Sequence, residues 1–157
     1  MPPPALIQPS TLDFSNLYAD QETVLRAIPQ RHEFLLLNGI VLFDAAAQLM
    51  VGFHDVKSDA YWTRGHIPGR PVFPGVLMIE TAAQLCSAFF RTLLGGEGFL
   101  GFAGVEGVKF RGAVVPPARF VVAAVAKSVR PRRMVCTCQG FVGDDLVFEG
   151  EIAGMPI

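Results

Sequence analysis

The sequence from Gly75 to Leu94 is GVLMIETAAQLCSAFFRTLL, twenty residues in which nothing breaks a helix. Gly95 and Gly96 follow at once and supply a stop signal. Most positions are apolar. Four of the polar side chains share one stripe because they are spaced four, three and four residues apart: Glu80, Gln84, Ser87 and Arg91. The pattern predicts one long helix that is buried on most of its sides.

Runs of strand-forming residues flank this helix. Two candidate strands precede it, 34–43 with a bend at Gly39 and 47–56, and four follow it, at 99–111, 119–129, 133–142 and 145–153. The run from Phe120 to Val125 does not alternate, which predicts a strand covered on both faces. The order of elements predicts an α+β fold in which an antiparallel sheet wraps around one long buried central helix.

The N-terminal residues have a different character. Residues 1–20 contain four prolines and little periodicity, which predicts a loosely ordered arm or a short leading helix. A single domain over residues 21–157 is expected to follow, and its first helix near 21–28 is ended by Pro29. The first four residues lack the basic start and apolar run of a signal peptide, so a cytoplasmic location is expected.

The composition excludes several classes of protein. Charged residues make up 17% of the chain, where about 25% is average, so we expect oligomer contacts to hide apolar surface. A net charge of -1 argues against a general nucleic-acid binder. The long helix could span a bilayer by length, but Glu80 and Arg91 would be costly there, so no membrane span is predicted. The histidines and cysteines lack the close spacing of metal ligands, so no metal site is expected.

Candidate chemistry lies in the stretch from Gly65 to Gln84, where a loop histidine precedes the buried helix. His66 could act as a base, and the Gly75 N–H is an unpaired donor of the first helical turn that favours negative charge. Burial would raise the pKa of Glu80 and keep it protonated, as a general acid requires. By residue type alone, His66 could equally be a structural hydrogen bonder and Glu80 part of a solvated stripe. The spacing of the two residues does not decide between these readings.

The same stretch resembles the signature of the 3-hydroxyacyl-[acyl-carrier-protein] dehydratases of the hot-dog superfamily. The matching motifs are Gly65-His66-Ile67-Pro68-Gly69, Pro71 to Leu77, then Glu80 and Ala83-Gln84. Upstream IPQRHEFLLLNGI (28–40) and downstream VKFRGAVVPPARF (108–120) resemble two further family motifs, and the resemblance extends from about Ile28 to Gly150. It implies the hot-dog fold and an enzyme of fatty-acid or lipid biosynthesis that forms trans-2-enoyl thioesters.

The resemblance also implies roles for individual residues. His66 would take the proton from C2 of the substrate, Glu80 would protonate the departing 3-hydroxyl, and the Gly75 N–H would polarise the thioester carbonyl. It implies no cofactor, because the substrate is carried on the phosphopantetheine arm of an acyl carrier protein. Further residues of the motif are expected to bind substrate: Phe73, Val76, Ile67 and Gln84.

The resemblance also implies an assembly and a partner. His66 and Glu80 would come from different chains of a homodimer, which could assemble further into a trimer of dimers. Acyl carrier proteins are acidic, so the substrate entrance should carry local basic residues, for which the candidates are Arg64, Arg70, Lys109 and Arg111. Several positions depart from the family pattern and put the substrate range in doubt, among them Ile67, Phe73 and Asn38.

Two other functions remain open at this point. A hot-dog acyl thioesterase would share the fold and thioester binding, but it needs an activated water or a carboxylate nucleophile. A non-catalytic acyl-binding or scaffold domain is the third reading. The remaining histidines receive no catalytic role: His32 is expected at the surface, and His54 is expected to be a hydrogen bonder at a strand end.

Overall fold

A long helix and a single sheet form the structure, a computed structural model that describes all 157 residues. The helices are α1 (Gln21–Ala27) and α2 (Gly75–Leu94). The strands are β1 (Gly39–Asp44), β2 (Leu49–Val56), β3 (Leu100–Phe110), β4 (Ala118–Arg130), β5 (Arg133–Val142) and β6 (Asp145–Pro156). All neighbouring strands are antiparallel, in the order β1-β2-β4-β5-β6-β3. The predicted α+β architecture is confirmed.

Helix α2 packs closely against the sheet along most of its length. It contributes eleven buried residues, and Ala82, Leu85, Ala88 and Phe89 have no exposed surface. Gly52 of β2 permits this approach, because a Cβ atom there would lie 2.9 Å from the Leu85 side chain. The predicted bounds of α2 are confirmed, including its end before Gly95, which has a φ of 66°. By length and hydropathy α2 could also span a membrane, but more than half of it is buried as the core helix of this fold.

Strand β4 is covered on both faces, as its sequence predicts. Its inner face meets α2, while Val121 and Ala123 on the outer face join a second apolar cluster with residues from β1 and β2. Five side chains of the N-terminal arm cover that cluster: Leu6, Ile7, Leu12, Phe14 and Leu17. Buried Gln139 fastens the arm, since its amide accepts from the Leu6 N–H at 2.7 Å and donates to the Pro4 carbonyl at 3.0 Å. Most of the arm remains exposed, and the division at residue 20 stays a prediction.

The region before β2 differs from the predicted strands. Residues 34–38 are not a strand: His32–Phe34 form a short 3-10 helix, and the chain is irregular until β1 begins at Gly39. The physical reason is the Gln84 side chain, which takes the Leu36 and Leu37 N–H groups that a sheet ladder would need. Residues 45–48 form a turn, closed by the Asp44 carboxylate, so β2 starts two residues later than predicted.

Strand β3 lies at an edge of the sheet and pairs only with β6. Its other edge has no partner in the chain, and three large apolar side chains along it are 41–51% exposed: Phe102, Val105 and Phe110. An unpaired apolar edge of eleven residues is unusual for a protein that remains monomeric.

Candidate active site

The loop between β2 and α2 holds His66 in place through backbone hydrogen bonds. The His66 N–H donates to the Trp62 carbonyl at 2.8 Å, and the Val72 N–H donates to the His66 carbonyl at 3.0 Å. Trp62 is itself buried and anchors this loop in the core, where its ring contacts Phe73. The fixed loop therefore presents an exposed histidine from a rigid base.

One ring nitrogen of His66 forms a hydrogen bond within the chain. The Nδ1 atom lies 2.7 Å from the Val72 carbonyl oxygen, and a carbonyl can only accept. The neutral imidazole must therefore carry its proton on Nδ1, which leaves the lone pair on Nε2 free. An exposed Nε2 of this tautomer is suited to take a proton from a ligand.

The first turn of α2 offers unpaired donors beside His66. Pro74 precedes the helix and has no side-chain group that could cap it, so the Gly75 and Val76 N–H groups have no acceptor in the chain. Free N–H groups at a helix start attract negative charge. Glycine suits this position because a Cβ atom would lie 2.8 Å from the Phe110 ring, which would have to move.

An open depression of about 590 Å³ connects these features, and we call it the His66 depression. Its lining includes His66, Phe73, Gly75, Val76, Phe110 and Arg111. Val76 is 70% exposed at its rim, whereas Phe73 is buried and forms its floor. The sequence predicted five of these residues as site residues, and the structure brings those five together.

Glu80 lies elsewhere on the chain, in a crevice of about 80 Å³ that we call the Glu80 crevice. Burial raises the pKa of its carboxyl, and a hydrogen bond from Gln84 at 3.0 Å acts in the opposite direction. A raised pKa is what the sequence predicted for a general acid. The crevice and the His66 depression share no lining residue, so His66 and Glu80 do not meet in one pocket of a single chain.

Gln84 has a different environment from the one expected of a substrate-binding residue. It is 1% exposed, and its amide makes four hydrogen bonds. Its Oε1 accepts from the Leu36 and Leu37 N–H groups at 3.0 and 3.1 Å, and its Nε2 donates to the Phe34 carbonyl and to Glu80. The whole hydrogen-bonding capacity of the side chain is therefore used inside the chain. Ile67, also expected at the substrate, projects from the loop tip and does not line the depression.

The four basic residues predicted to meet a partner fall into two pairs. Arg64 and Arg70 flank His66 on the exposed side of the loop and form no ion pair. Lys109 faces Glu149 across β3 and β6, and the Arg111 guanidinium bonds Glu149 at 2.6 Å, which lowers the pKa of that carboxyl. Arg64, Arg70 and Lys109 therefore carry exposed charges without an ion pair, whereas the charge of Arg111 is paired.

Comparison with known proteins shows the family of the chain. Residues 28–151 match the model of the FabA-like domain. The chain belongs to the FabA-like family. A 3-hydroxyacyl-[acyl-carrier-protein] dehydratase FabZ of Lawsonia intracellularis is 33% identical over 133 residues, which are 82% of this chain and 86% of the relative. The FabZ of Sinorhizobium medicae is 32% identical over 138 residues, 87% of this chain and 89% of the relative.

Solved structures confirm the hot-dog fold of this FabA-like chain. The dehydratase heterocomplex ApeI:P from Xenorhabdus doucetiae superposes with a TM-score of 0.72 at 14% identity, covering 85% of this chain and 90% of that one. A thioesterase from Haemophilus influenzae superposes with a TM-score of 0.60 at 12% identity, covering 76% and 77%. The fold is therefore common to dehydratases and thioesterases.

Two residues of the FabA-like site were not predicted from the sequence. Phe110 forms one wall of the His66 depression and restricts position 75 to glycine, and its Lys-Phe-Arg motif could have indicated it. Gln30 lines the Glu80 crevice, and its buried Oε1 has no hydrogen-bond partner in the chain. No sequence signal indicates that Gln30 lies beside Glu80, since fifty positions separate them.

We expect Gln84→Leu to lower the free energy of unfolding of this FabA-like chain by about 2–4 kcal/mol, because it leaves the buried Leu36 and Leu37 N–H groups unpaired. Urea denaturation followed by circular dichroism measures this loss. Gln21→Leu, the same change at an exposed helical position, is the control and should cost less than about 0.5 kcal/mol. Equal stability of the two variants would contradict the anchoring role.

Proposed function

We propose that the chain is a 3-hydroxyacyl-[acyl-carrier-protein] dehydratase that converts a 3-hydroxyacyl thioester into a trans-2-enoyl thioester and water. The observation that carries the proposal is the similarity to FabZ dehydratases over more than four fifths of the chain. The site supports it independently, because a free imidazole nitrogen, unpaired helix donors and a carboxyl of raised pKa are the groups that this elimination needs.

In the proposed mechanism, His66 Nε2 takes the proton from C2 of the substrate. The electron pair of the broken C2–H bond passes through an enolate-like state, in which the Gly75 N–H stabilises the charge on the thioester oxygen. The pair then forms the C2=C3 double bond as the C3–O bond breaks. Protonated Glu80 gives its proton to the departing hydroxyl, which leaves as water, and solvent exchange restores both groups.

We propose that the complete site is shared between two copies of the chain. His66 and Glu80 line separate pockets of one chain, so a second copy is needed to bring an acid to each base. The unpaired apolar edge of β3 and the exposed Val76 support an edge-to-edge homodimer. Further assembly into a trimer of dimers remains a prediction.

We propose that the acyl group arrives on the phosphopantetheine arm of an acyl carrier protein, in the cytoplasm and without a further cofactor. The named relatives are dehydratases of carrier-bound substrates. The exposed Arg64 and Arg70 beside His66 would meet the acidic carrier, while Phe73, Val76 and Phe110 offer apolar contact for the acyl chain. Arg111 also lines the depression, and together with the nearby Lys109 of β3 it would extend the contact.

The acid/base pair is tested by assaying His66→Ala and Glu80→Gln with 3-hydroxyacyl thioesters. Each change should lower turnover roughly 10²–10⁴-fold, the range that general acid/base catalysis supplies. The absorbance of the enoyl product measures water loss, and the release of free thiol measures hydrolysis of the thioester. A thioesterase would release thiol without forming the enoyl product. Controls are the exposed His32→Ala and Glu22→Gln. Full activity in a folded His66 or Glu80 variant would overturn the assignment, and no turnover by the natural chain would favour a binding domain.

A shared site predicts complementation. Mixing and reassembling the His66→Ala and Glu80→Gln chains should recover about a quarter to a half of wild-type activity, because mixed dimers contain one site with both intact residues. Native mass spectrometry measures the fraction of mixed dimers. Mixed dimers that remain as inactive as either parent would show that both groups act within one chain.

Carrier docking predicts an effect of charge that depends on the substrate. Arg64→Glu or Arg70→Glu should raise KM for a carrier-protein substrate several-fold at low salt, because exposed charges steer association over about 8–10 Å. A short thioester mimic without the protein should be turned over as before. Arg132→Glu, in the β4–β5 turn, is the control. Equal loss with both substrates would place the arginine within the active site, and no loss with either would exclude docking at this loop.

A further inference from the structure

His54, on β2, is partly buried, unlike the exposed His66, and its protonation is fixed by its neighbours. Its Nδ1 atom lies 2.6 Å from the Leu36 carbonyl oxygen and 3.0 Å from Asn38 Oδ1. The Asn38 oxygen also accepts from the Asp55 N–H at 2.7 Å, so both contacts of Nδ1 are acceptors. Nδ1 must therefore carry a proton and donate it, and the ring is held in this position by stacking on Phe73.

The hydrogen bond to Leu36 continues through the chain to Glu80. The Leu36 carbonyl and the Leu37 N–H belong to one peptide group, and this N–H donates to Gln84 Oε1 at 3.1 Å. The Gln84 Nε2 then donates to Glu80 Oε1 at 3.0 Å. In this series of hydrogen bonds, each group donates in the direction of Glu80. The Leu36–Leu37 peptide and the Gln84 amide are both conjugated groups. Hydrogen bonds arranged in this way polarise one another, so each strengthens the next.

We propose that His54 is a positioning residue for Glu80, acting through the Leu36–Leu37 peptide group and the Gln84 amide. This series of hydrogen bonds from His54 to Glu80, which we call the relay, would hold the Glu80 carboxyl in one orientation. It would also stabilise the ionised form of that carboxyl, against the effect of burial. The proposal deepens the proposed function and rests on it, since it concerns the acid of that reaction. A carboxyl that is buried yet stabilised as an anion can both release its proton and recover it.

The ionisable side chains near His54 and near Glu80 are arranged so that substitution of His54 can test the relay. The side chains facing His54 include Asp55, Lys57, His32, Glu33 and Asp59, and Asp55 is paired with Arg119 at 2.7 Å. Burial lowers the pKa of His54, so the neutral ring with its Nδ1 proton is the relevant form near pH 7. The Glu80 crevice contains no other ionisable side chain of its own chain, and the His66 that a second copy would bring to it is the same in every variant compared. A change in Glu80 on substituting His54 would therefore be transmitted by the relay.

The test compares two substitutions of His54. His54→Phe keeps a ring to stack on Phe73 but has no donor, whereas His54→Asn can place an amide N–H close to the position of Nδ1. We expect His54→Phe to lower kcat for dehydration about 3–10-fold with KM within about twofold, the effect of one weakened hydrogen bond, and His54→Asn to retain most activity. His32→Phe, the same change at an exposed histidine, is the control.

A second measurement follows Glu80 directly. In protein labelled with ¹³C at the glutamate carboxyl, the Glu80 signal, assigned from its loss in Glu80→Gln, should titrate at higher pH in His54→Phe than in the wild type. In the wild-type protein the Leu37 amide proton should shift in step with that titration, which requires no variant to fold. His54→Asn should titrate as the wild type does.

Three results would overturn the proposal. The first is an equal loss of kcat in His54→Phe and His54→Asn. The second is a Glu80 carboxyl in His54→Phe that titrates at the same pH as in the wild type. The third is a Leu37 amide proton whose chemical shift does not change as Glu80 titrates. The two parts of the hypothesis remain distinguishable. A wild-type protein that dehydrates no thioester would refute the proposed function, while the carboxyl and amide titrations would still decide whether the relay exists.

Discussion

The amide of Gln84 is the interaction on which the arrangement of the site depends. It is a fully buried polar group on a mostly apolar helix, and such a group is tolerated only when its hydrogen bonds are satisfied. Satisfying them ties α2 to the segment before β1 on one side and to Glu80 on the other. The same bonds that make this polar residue acceptable in the core therefore fix the chain around a half-buried carboxyl.

The start of α2 shows the complementary arrangement. The Gln84 side chain has a partner for each of its donors and acceptors. At the helix N-terminus, by contrast, Pro74 offers no side-chain cap, and the Gly75 N–H is among the donors that have no acceptor in the chain. Unpaired N–H groups carry a free-energy cost only if they are dry, and here they open into the His66 depression, where water or a ligand can accept. The helix is thus rigid where it is buried and chemically unsatisfied where it faces the proposed substrate.

Much of this could be predicted from the sequence, and the misses have physical reasons. The bounds of α2 followed from twenty residues without a break, and the coverage of β4 followed from its lack of alternation. The strand predicted at residues 34–38 was wrong because a side chain 47–48 positions away takes its backbone donors, which no local pattern records. Periodicity placed Glu80 and Gln84 on one stripe of the helix. It could not show that the Gln84 side chain is buried against the segment before β1, whereas the Glu80 side chain lines a crevice. The family resemblance assigned His66 and Glu80 to different chains of a homodimer, and within one chain the structure places them in separate pockets.

That separation follows from helix geometry. Glu80 is five positions after Gly75, and at about 100° and 1.5 Å per residue its side chain is rotated about 140° around the helix axis and advanced about 7.5 Å along it. A helix that offers its N-terminus to the thioester therefore directs Glu80 to a different side. For a substrate at the N-terminus of α2, the homodimer that we propose would supply the acid from Glu80 of a second copy. The edge of β3, left unpaired and apolar, offers a surface for that copy, so the proposed homodimer would reunite the two groups that one chain holds in separate pockets.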